Sequence, residues 1–285
     1  MIVDVNGNLR LNYPTGYQVV ENLPLLKKVI HHSPGLIMLT QNQQLAYRST
    51  KLISNRVETN RVDWYTVIDT EKPVNDQLVF DHLVINIAHH YNTKNSHGFV
   101  VLLANGQLYE CGVEDGMIKI IKLLHSNVNR IFSCERGYRL EYITTFNGEC
   151  YTFDDFETDL SVILGKKIVK CRSSILITDD ECAYSHHYNN EFKLISEDVV
   201  DAVDNIGSYL ISRTGVVHEY DMYYPKILNM ITLPNGARFR RFVHDVPHYY
   251  YNGLVCEDID GNLYELYKSK SIRIEFNFKI YGYQE

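Results

Sequence analysis

One short pattern recurs seven times along the chain and constrains its fold more than any other feature. It is an apolar run, a turn, and a second apolar run that often carries a tyrosine. The clearest copies are Phe99–Tyr109, Tyr142–Tyr151, Tyr209–His218, Leu254–Tyr264 and Ile2–Leu9, each turning at a glycine: Gly106, Gly148, Gly215, Gly261 and Gly7. Two further copies, Leu36–Leu45 and Ile175–Cys182, lack the glycine and turn near Gln43 and Asp180. Each copy reads as a β-hairpin. Asn-Gly and Asp-Gly favour tight two-residue turns, because both central positions tolerate positive φ. The flanking β-branched and aromatic residues suit strands.

The turns are separated by 36, 63, 42, 32, 35 and 46 residues, about one four-stranded blade each. Apolar segments lie on either side of most hairpins, at Met117–Leu124, Val128–Phe132, Leu160–Leu164, Lys167–Cys171, Ile227–Ile231 and Phe239–Val243. The repeating unit is therefore inner strand, hairpin, outer strand. The expected fold is all-β: one domain over residues 1–285, a seven-bladed β-propeller, with six blades if residues 1–11 do not form a hairpin. The first hairpin starts at residue 2, so its blade lacks a preceding inner strand. The C-terminal run Ile272–Tyr281 has strand to spare. Ile272–Phe276 is expected to complete the last blade, and Phe278–Tyr283 to close the ring by pairing with Ile2–Leu11. Closure of this kind removes exposed sheet edges.

Residues 97–112, His-Gly-Phe-Val-Val-Leu-Leu-Ala-Asn-Gly-Gln-Leu-Tyr-Glu-Cys-Gly, and again Asn129–Phe153, resemble the regulator of chromosome condensation repeat. That family shows a His ahead of a Leu-x-x-x-Gly-x-Val/Leu-Tyr-x-x-Gly run. The chain departs from it by lacking most glycines ahead of the hairpin and the Trp-Gly ending, for which Cys111-Gly112 stands once. The absence of Gly-Gly pairs and of a repeated Trp-Asp sets kelch and Trp-Asp repeats aside. The resemblance implies a propeller that binds macromolecular partners by its faces. In that family such partners include a Ran-type small GTPase, nucleosomes and ubiquitin-ligase components, and some members are secreted effectors.

The long interval leaves 26 residues, Arg56–Asp81, beyond an ordinary repeat. They read as a protruding hairpin, with strands Trp64–Ile68 and Gln77–Phe80 around a polar turn holding Pro73. Trp64 and Tyr65 are the natural interface anchors, since large aromatics supply most hot-spot energy. Asp63, Glu71 and Asp76 accompany them as partner-binding candidates. The expected function is a non-enzymatic protein-interaction scaffold. The alternative is a guanine-nucleotide exchange factor, which needs no acid or base of its own because it acts by stabilising a nucleotide-free GTPase.

No catalytic, metal or cofactor site is expected. The chain lacks a Gly-x-Ser-x-Gly elbow, a P-loop and a dinucleotide fingerprint. The pairs His31-His32, His89-His90 and His186-His187, and His248, occupy different points of the repeat, and adjacent strand residues face opposite sides. The acid pairs Asp154-Asp155, Asp179-Asp180 and Glu257-Asp258 fall at hairpin ends. Tyr109, Tyr151 and Tyr264 recur at one position, which points to packing between blades. The six cysteines form no C-x-x-C pair, the pattern of reduced thiols in an intracellular protein. A net charge of −7 disfavours nucleic acid and chromatin, and Arg238–Arg241 reads as a solvated strand. The N-terminus has no signal-peptide pattern, and no apolar run reaches membrane-spanning length. These features give a cytoplasmic or nuclear expectation with no membrane partner. The richness in Tyr, Asn, Ile and Lys fits an AT-rich genome, such as that of a large virus or an intracellular bacterium.

Overall fold

The computed structural model describes residues 2–4, 6–13, 16–20, 23–32, 35–56, 62–68, 75–77, 80–90, 98–133, 140–153, 155–172, 174–186, 191–204, 208–221, 226–233, 236–243, 254–267 and 270–274. The chain divides into two compact units, residues 3–128 and residues 129–285 with residues 1–2.

The first unit carries a three-stranded sheet, β1 (Ile2–Val3), β2 (Leu9–Tyr13) and β3 (Gly16–Val19). A five-stranded sheet follows: β4 (Leu26–His32), β5 (Gly35–Thr40), β6 (Leu45–Arg56), β7 (Val62–Ile68) and β8 (Asn75–Gln77). The third sheet holds β9 (Val84–His90), β10 (Gly98–Leu103), β11 (Leu108–Glu114) and β12 (Met117–His125). The second unit opens with β13 (Val128–Ser133), β14 (Leu140–Thr145) and β15 (Cys150–Thr152), then a short helix, α1 (Leu160–Leu164). Three four-stranded sheets complete it. They are β16 (Ile168–Arg172) to β19 (Phe192–Ser196) through β17 (Ile175–Thr178) and β18 (Ala183–His186); β20 (Val199–Asp204), β21 (Ser208–Ser212), β22 (Val217–Asp221) and β23 (Lys226–Ile231); and β24 (Phe239–Phe242), β25 (Leu254–Asp258), β26 (Leu263–Tyr267) and β27 (Lys270–Ile274). Apart from β8, which pairs with β6, strands that follow one another in sequence lie side by side, so the sheets are small meanders.

Burial grades across each sheet. Every residue of β5, β10 and β17 is buried, because these second strands are covered on both faces. That is why they read as continuous apolar runs instead of alternating ones. Within the first unit, Ile37, Leu39 and Leu45 of one sheet pack with Ile87, Phe99 and Val101 of the next. Within the second, Phe132, Tyr142 and Cys150 pack with Ile168, Cys171 and Leu176, and Val203, Ile211 and Val217 with Phe239, Phe242 and Cys256. Successive sheets thus stack face to face, as blades do. Five cysteines are described, all free; Cys150 and Cys171 lie in the core with their sulfurs 3.9 Å apart.

All seven hairpins share one turn geometry, and it is not the two-residue turn that Asn-Gly suggests. The amide of the glycine donates to the carbonyl three residues back, as Gly106 does to Leu103 at 3.0 Å, and the amide of Leu103 donates to the carbonyl of Gln107 at 2.9 Å. The same pair of bonds closes the turns at Gly7, Gln43, Gly148, Glu181, Gly215 and Gly261. This is a type I turn followed by one left-handed residue in a bulge. Only that last position takes positive φ: the glycines lie at +78° to +88°, and Gln43 (61°) and Glu181 (59°) occupy the same place without one. Asn105 and Asn147 are not among the positive-φ residues. The turn that the sequence centres on Asp180 therefore has its special position one residue later.

A second correction concerns Leu160–Leu164, which the sequence reads as an outer strand and the structure folds as α1. Asp159 caps its N-terminus by accepting from the Ser161 amide at 2.9 Å, and Gly165 ends it at φ 68°. The same Asp159 oxygen accepts the outward amide of Cys150 at 2.9 Å. A carboxylate thus takes up one edge amide of β15, on the side where the four-stranded sheets supply a fourth strand.

The third correction is to closure, and with it to the expected closed ring. β1 pairs with β2 alone, and the last sheet draws all four of its strands from residues 239–274. No sheet among the described residues combines the two ends of the chain. The reason lies in β27. It starts at Lys270, opposite Tyr267 on β26, two residues earlier than Ile272–Phe276, so the last sheet takes its fourth described strand from Lys270–Ile274. Phe278–Tyr283 lie outside the described residues.

Candidate interaction surface

The sheet containing β6 departs from the repeat. β5 ends at Gly35, opposite Ser49, but β6 runs on for seven residues to Arg56. Thr50–Arg56 pair with β7 in an unbroken register from Thr50↔Ile68 to Arg56↔Val62. The first part of β6 pairs instead with β8, from Leu45↔Gln77 to Tyr47↔Asn75, and this fills the place of a fourth strand. The branch point is tight. A Cβ on Gly35 would sit 2.5 Å from both the Arg48 carbonyl oxygen and the Tyr47 ring, so only glycine lets β5 stop there.

The hairpin beyond the blade is therefore built from Thr50–Arg56 and Val62–Ile68, not from Trp64–Ile68 and Gln77–Phe80. The β-branched and aromatic content of β7 suits it to a strand. Three of the sequence-predicted residues fall together on β7: Asp63 opposite Asn55, Trp64 opposite Ser54 and Tyr65 opposite Ile53. Asp76 lies on β8 opposite Ala46. Seven residues of β6 separate that level from Tyr65, roughly 24 Å along the strand. Glu71 lies outside the described residues.

Several of the other polar groups singled out in the sequence have structural partners. His90 Nε2 lies 3.8 Å from the buried Glu110 carboxylate, which Lys122 Nζ approaches at 3.2 Å from the opposite side. The His186 ring stacks on Phe192 and its Nδ1 bonds the Tyr142 hydroxyl at 3.1 Å. His187 and His248 lie outside the described residues, among which no three His, Cys, Asp or Glu side chains gather as metal ligands would. Arg241 pairs with Glu257, and Arg238 donates to the carbonyls of Thr214 (3.0 Å) and Arg213 (3.1 Å). Of the acid pairs, Asp155 caps the loop amides of Glu157 and Thr158, and Asp180 pairs with Lys166. Hydrogen bonds from Lys166 and then Thr178 pull the Asp180 carboxyl down to about 2. Tyr264 packs edge-on against Phe239 and donates to Asp258 at 3.2 Å; Tyr109 packs on Phe80.

One surface has no counterpart in the sequence reading. β12 exposes Met117, Ile120, Ile121 and Leu123, each about half accessible, together with Lys119 and Lys122. The Met117–Leu124 run signals a strand, but nothing in its pattern separates a covered outer strand from an open one.

Solved structures like this one include Sqt1 from Saccharomyces cerevisiae, at 8% identity and a TM-score of 0.56, covering 96% of this chain and 81% of that one. The computationally designed Ika8 protein matches at 7% identity and a TM-score of 0.50, over 90% of this chain and 76% of its own. The Swd1 β-propeller domain of Myceliophteria thermophila matches at 10% identity and a TM-score of 0.49, over 88% of each chain. The fold resembles those of Sqt1 and Ika8. At such identities the likeness extends to the fold alone. No family model matches the chain, and no curated protein matches it. The regulator of chromosome condensation repeat therefore remains a resemblance of motif. No helix among the described residues is long and apolar enough to cross a membrane.

Proposed function

We propose that this chain is a non-catalytic, propeller-type scaffold that binds a protein partner through the hairpin of β6 and β7, with Trp64 and Tyr65 as anchors and Asp63 beside them. The observation that carries this reading is that β6 outruns β5 by seven residues and pairs there with β7. A ladder extended past its own blade adds nothing to that blade's core, and aromatic residues placed on it are well suited to filling a partner's pockets. Asp76 and Glu71 would then belong to the rim, where charges guide encounter more than they add affinity. A small GTPase or a ubiquitin-ligase component is the class of partner that the motif resemblance implies.

The test is site-specific photocrosslinking in extract from the source organism, with benzoylphenylalanine at position 64 and, as a control, at the exposed Val162. A discrete adduct from position 64 that is absent from position 162 is expected. The Trp64→Ala, Tyr65→Ala variant should weaken binding of that partner about 30-fold or more, from a typical hot-spot cost of about 2 kcal/mol. The same adducts from both positions would overturn the reading. The narrower exchange-factor idea is tested by release of a fluorescent guanine nucleotide from a Ran-type GTPase. Acceleration that the variant loses would establish it, and unchanged release would remove it.

A further inference from the structure

We propose that the outer edge of β12, over Lys119–Leu124, takes up an added strand from an extended peptide in which acidic and apolar residues alternate. β12 is the last strand of its sheet and pairs with β11 alone among the described strands. Over Lys119–Leu124 no described strand pairs with its far side, so that stretch of backbone can template another strand.

The side chains along this edge suit a ligand better than bulk water. Ile120, Ile121 and Leu123 are 45%, 50% and 46% exposed on consecutive turns of the pleat. Two bulges bring this about. The ladder passes from Cys111↔Ile120 to Glu110↔Lys122, and from Tyr109↔Leu123 to Leu108↔His125, so Ile121 and Leu124 are extra residues. The extra Ile121 leaves Lys119 and Lys122 on one face, opposite Gly112 and Glu110 and with Ile121 beside them, while Ile120 and Leu123 share the other face, opposite Cys111 and Tyr109. Ile121 lies over Gly112, where a Cβ would come within 3.3 Å of its Cδ1, so the absence of a side chain there seats it.

The choice of occupant rests on charge. Lys119 is exposed, and Lys122, 58% exposed, is held in place by the buried Glu110 carboxylate at 3.2 Å. Lysines on an edge oppose pairing with a second copy. In the antiparallel register that sets Ile120 against Ile121 of the other copy, Lys119 would face Lys122. Like charges directly opposite are destabilising, whereas an acidic strand on the same edge gains at both positions. The end of β12 nearest the branched sheet lies beside Tyr47, whose ring is 3.9 Å from the Cβ position of Gly116. The chemistry of the Lys119–Leu124 edge does not depend on the hairpin of β6 and β7, which belongs to another sheet.

The probes are two labelled eight-residue peptides, one alternating Val and Glu and the other Val and Lys, titrated into the full chain by fluorescence anisotropy. The Val-Glu peptide is expected to bind. Lys119→Glu, or Ile120→Asn in protein still folded by circular dichroism, should weaken it at least tenfold, while Trp64→Ala, Tyr65→Ala leaves it unchanged. Hydrogen exchange should slow at Lys119–Leu124 on binding. Equal binding of the Val-Lys peptide, no binding of either, or protection elsewhere with β12 unaffected would overturn the proposal. So would a free chain that sediments as a dimer with β12 protected, because the occupant would then be a second copy.

Discussion

The seven turns put one residue each into the left-handed region, and the cost of leaving glycine differs with what surrounds it. A Cβ on Gly215 would meet Arg238 Cβ at 2.5 Å and its Cα at 2.9 Å; one on Gly261 would meet nothing within 4 Å. Both positions lie near φ +80°, so both substitutions carry the left-handed penalty of about 1–2 kcal/mol, and only the first adds a clash with backbone. Urea denaturation should show Gly261→Ala losing about 1 kcal/mol and Gly215→Ala clearly more. Gln43→Gly should gain up to about 1 kcal/mol, because its φ of 61° already suits glycine. Equal losses for the two alanine variants would contradict this account. The sequence located these turns through Asn-Gly and Asp-Gly, yet a dipeptide does not distinguish the two-residue turn from the type I turn with a bulge. The register of the flanking strands decides that.

At the scale of one element, five of the hairpins are tied from within by the side chain of the residue that opens the turn. Asp4 accepts from the amides of Asn6 and Asn8 (3.0 Å each) and from Arg10 Nε (2.8 Å). Asp258 does the same for the amides of Asp260 (2.9 Å) and Asn262 (2.8 Å). Thr40, Thr145 and Ser212 use their hydroxyls in that place. Burial is the largest single influence on both carboxyls and pushes them up, but the hydrogen bonds together outweigh it and hold both below the ordinary 3.8. A depressed carboxyl stabilises the fold above its unfolded value, and that contribution disappears as pH falls through the folded one. Thermal stability should therefore drop as pH is lowered through and below about 4, with part of the drop missing in Asp258→Asn. An identical acid limb in wild type and variant would remove Asp258 from the explanation. In six of the seven turns this position is visible in the sequence as Asp, Thr or Ser three residues ahead of the left-handed one, Leu103 being the exception. It is recognisable only once the turn geometry assigns that residue the role of closing the loop amides. α1 was legible in the same way, from Asp159 and Gly165, but five residues give too little periodicity to outweigh the β-propensity of Val162 and Ile163.

At the scale of whole sheets, the second unit is stitched together by Asp201. This carboxylate is 1% exposed and accepts from Lys170 Nζ on β16 (3.1 Å), from the amide of Ala202 on its own strand (3.0 Å) and from the amide of Phe242 on β24 (2.8 Å). Three successive sheets thus meet at one side chain. The first unit repeats part of this arrangement: Asn86 Oδ1 accepts from Ile87 N at 2.8 Å and from Lys28 Nζ at 3.1 Å. Asp201→Ala removes the acceptor shared by a half-buried lysine and two amides, so a loss of about 3 kcal/mol is expected in chemical denaturation. Asp201→Asn keeps one acceptor and should lose less. Lys28, Asn86, Lys170 and Asp201 each follow an inner-strand bulge, at Leu26/Lys28, between Val84 and Asn86, at Ile168/Lys170 and at Val199/Asp201. The carbonyl of the left-handed turn residue accepts from the next inner strand as well: Gly7 from Leu26 (2.7 Å), Gln43 from Val84 (3.1 Å) and Gly106 from Val128 (2.8 Å) in the first unit, Glu181 from Val199 (2.8 Å) and Gly215 from Phe239 (3.0 Å) in the second.

The sequence by itself determined the strand-turn-strand repeat, the position of each hairpin and the extra segment after the second one. Those features depend on neighbours a few residues apart, where glycine conformations and β-branched side chains act locally. Only the tertiary structure decided which strands pair with β6, that β27 completes the last sheet without reaching the first among the described residues, that Asp201 joins three sheets and that β12 pairs with β11 alone among the described strands. Each of those outcomes is a contact between residues far apart in the chain. Local pattern carries no information about them, because any apolar strand supplies the same backbone groups to whichever partner the packing brings alongside.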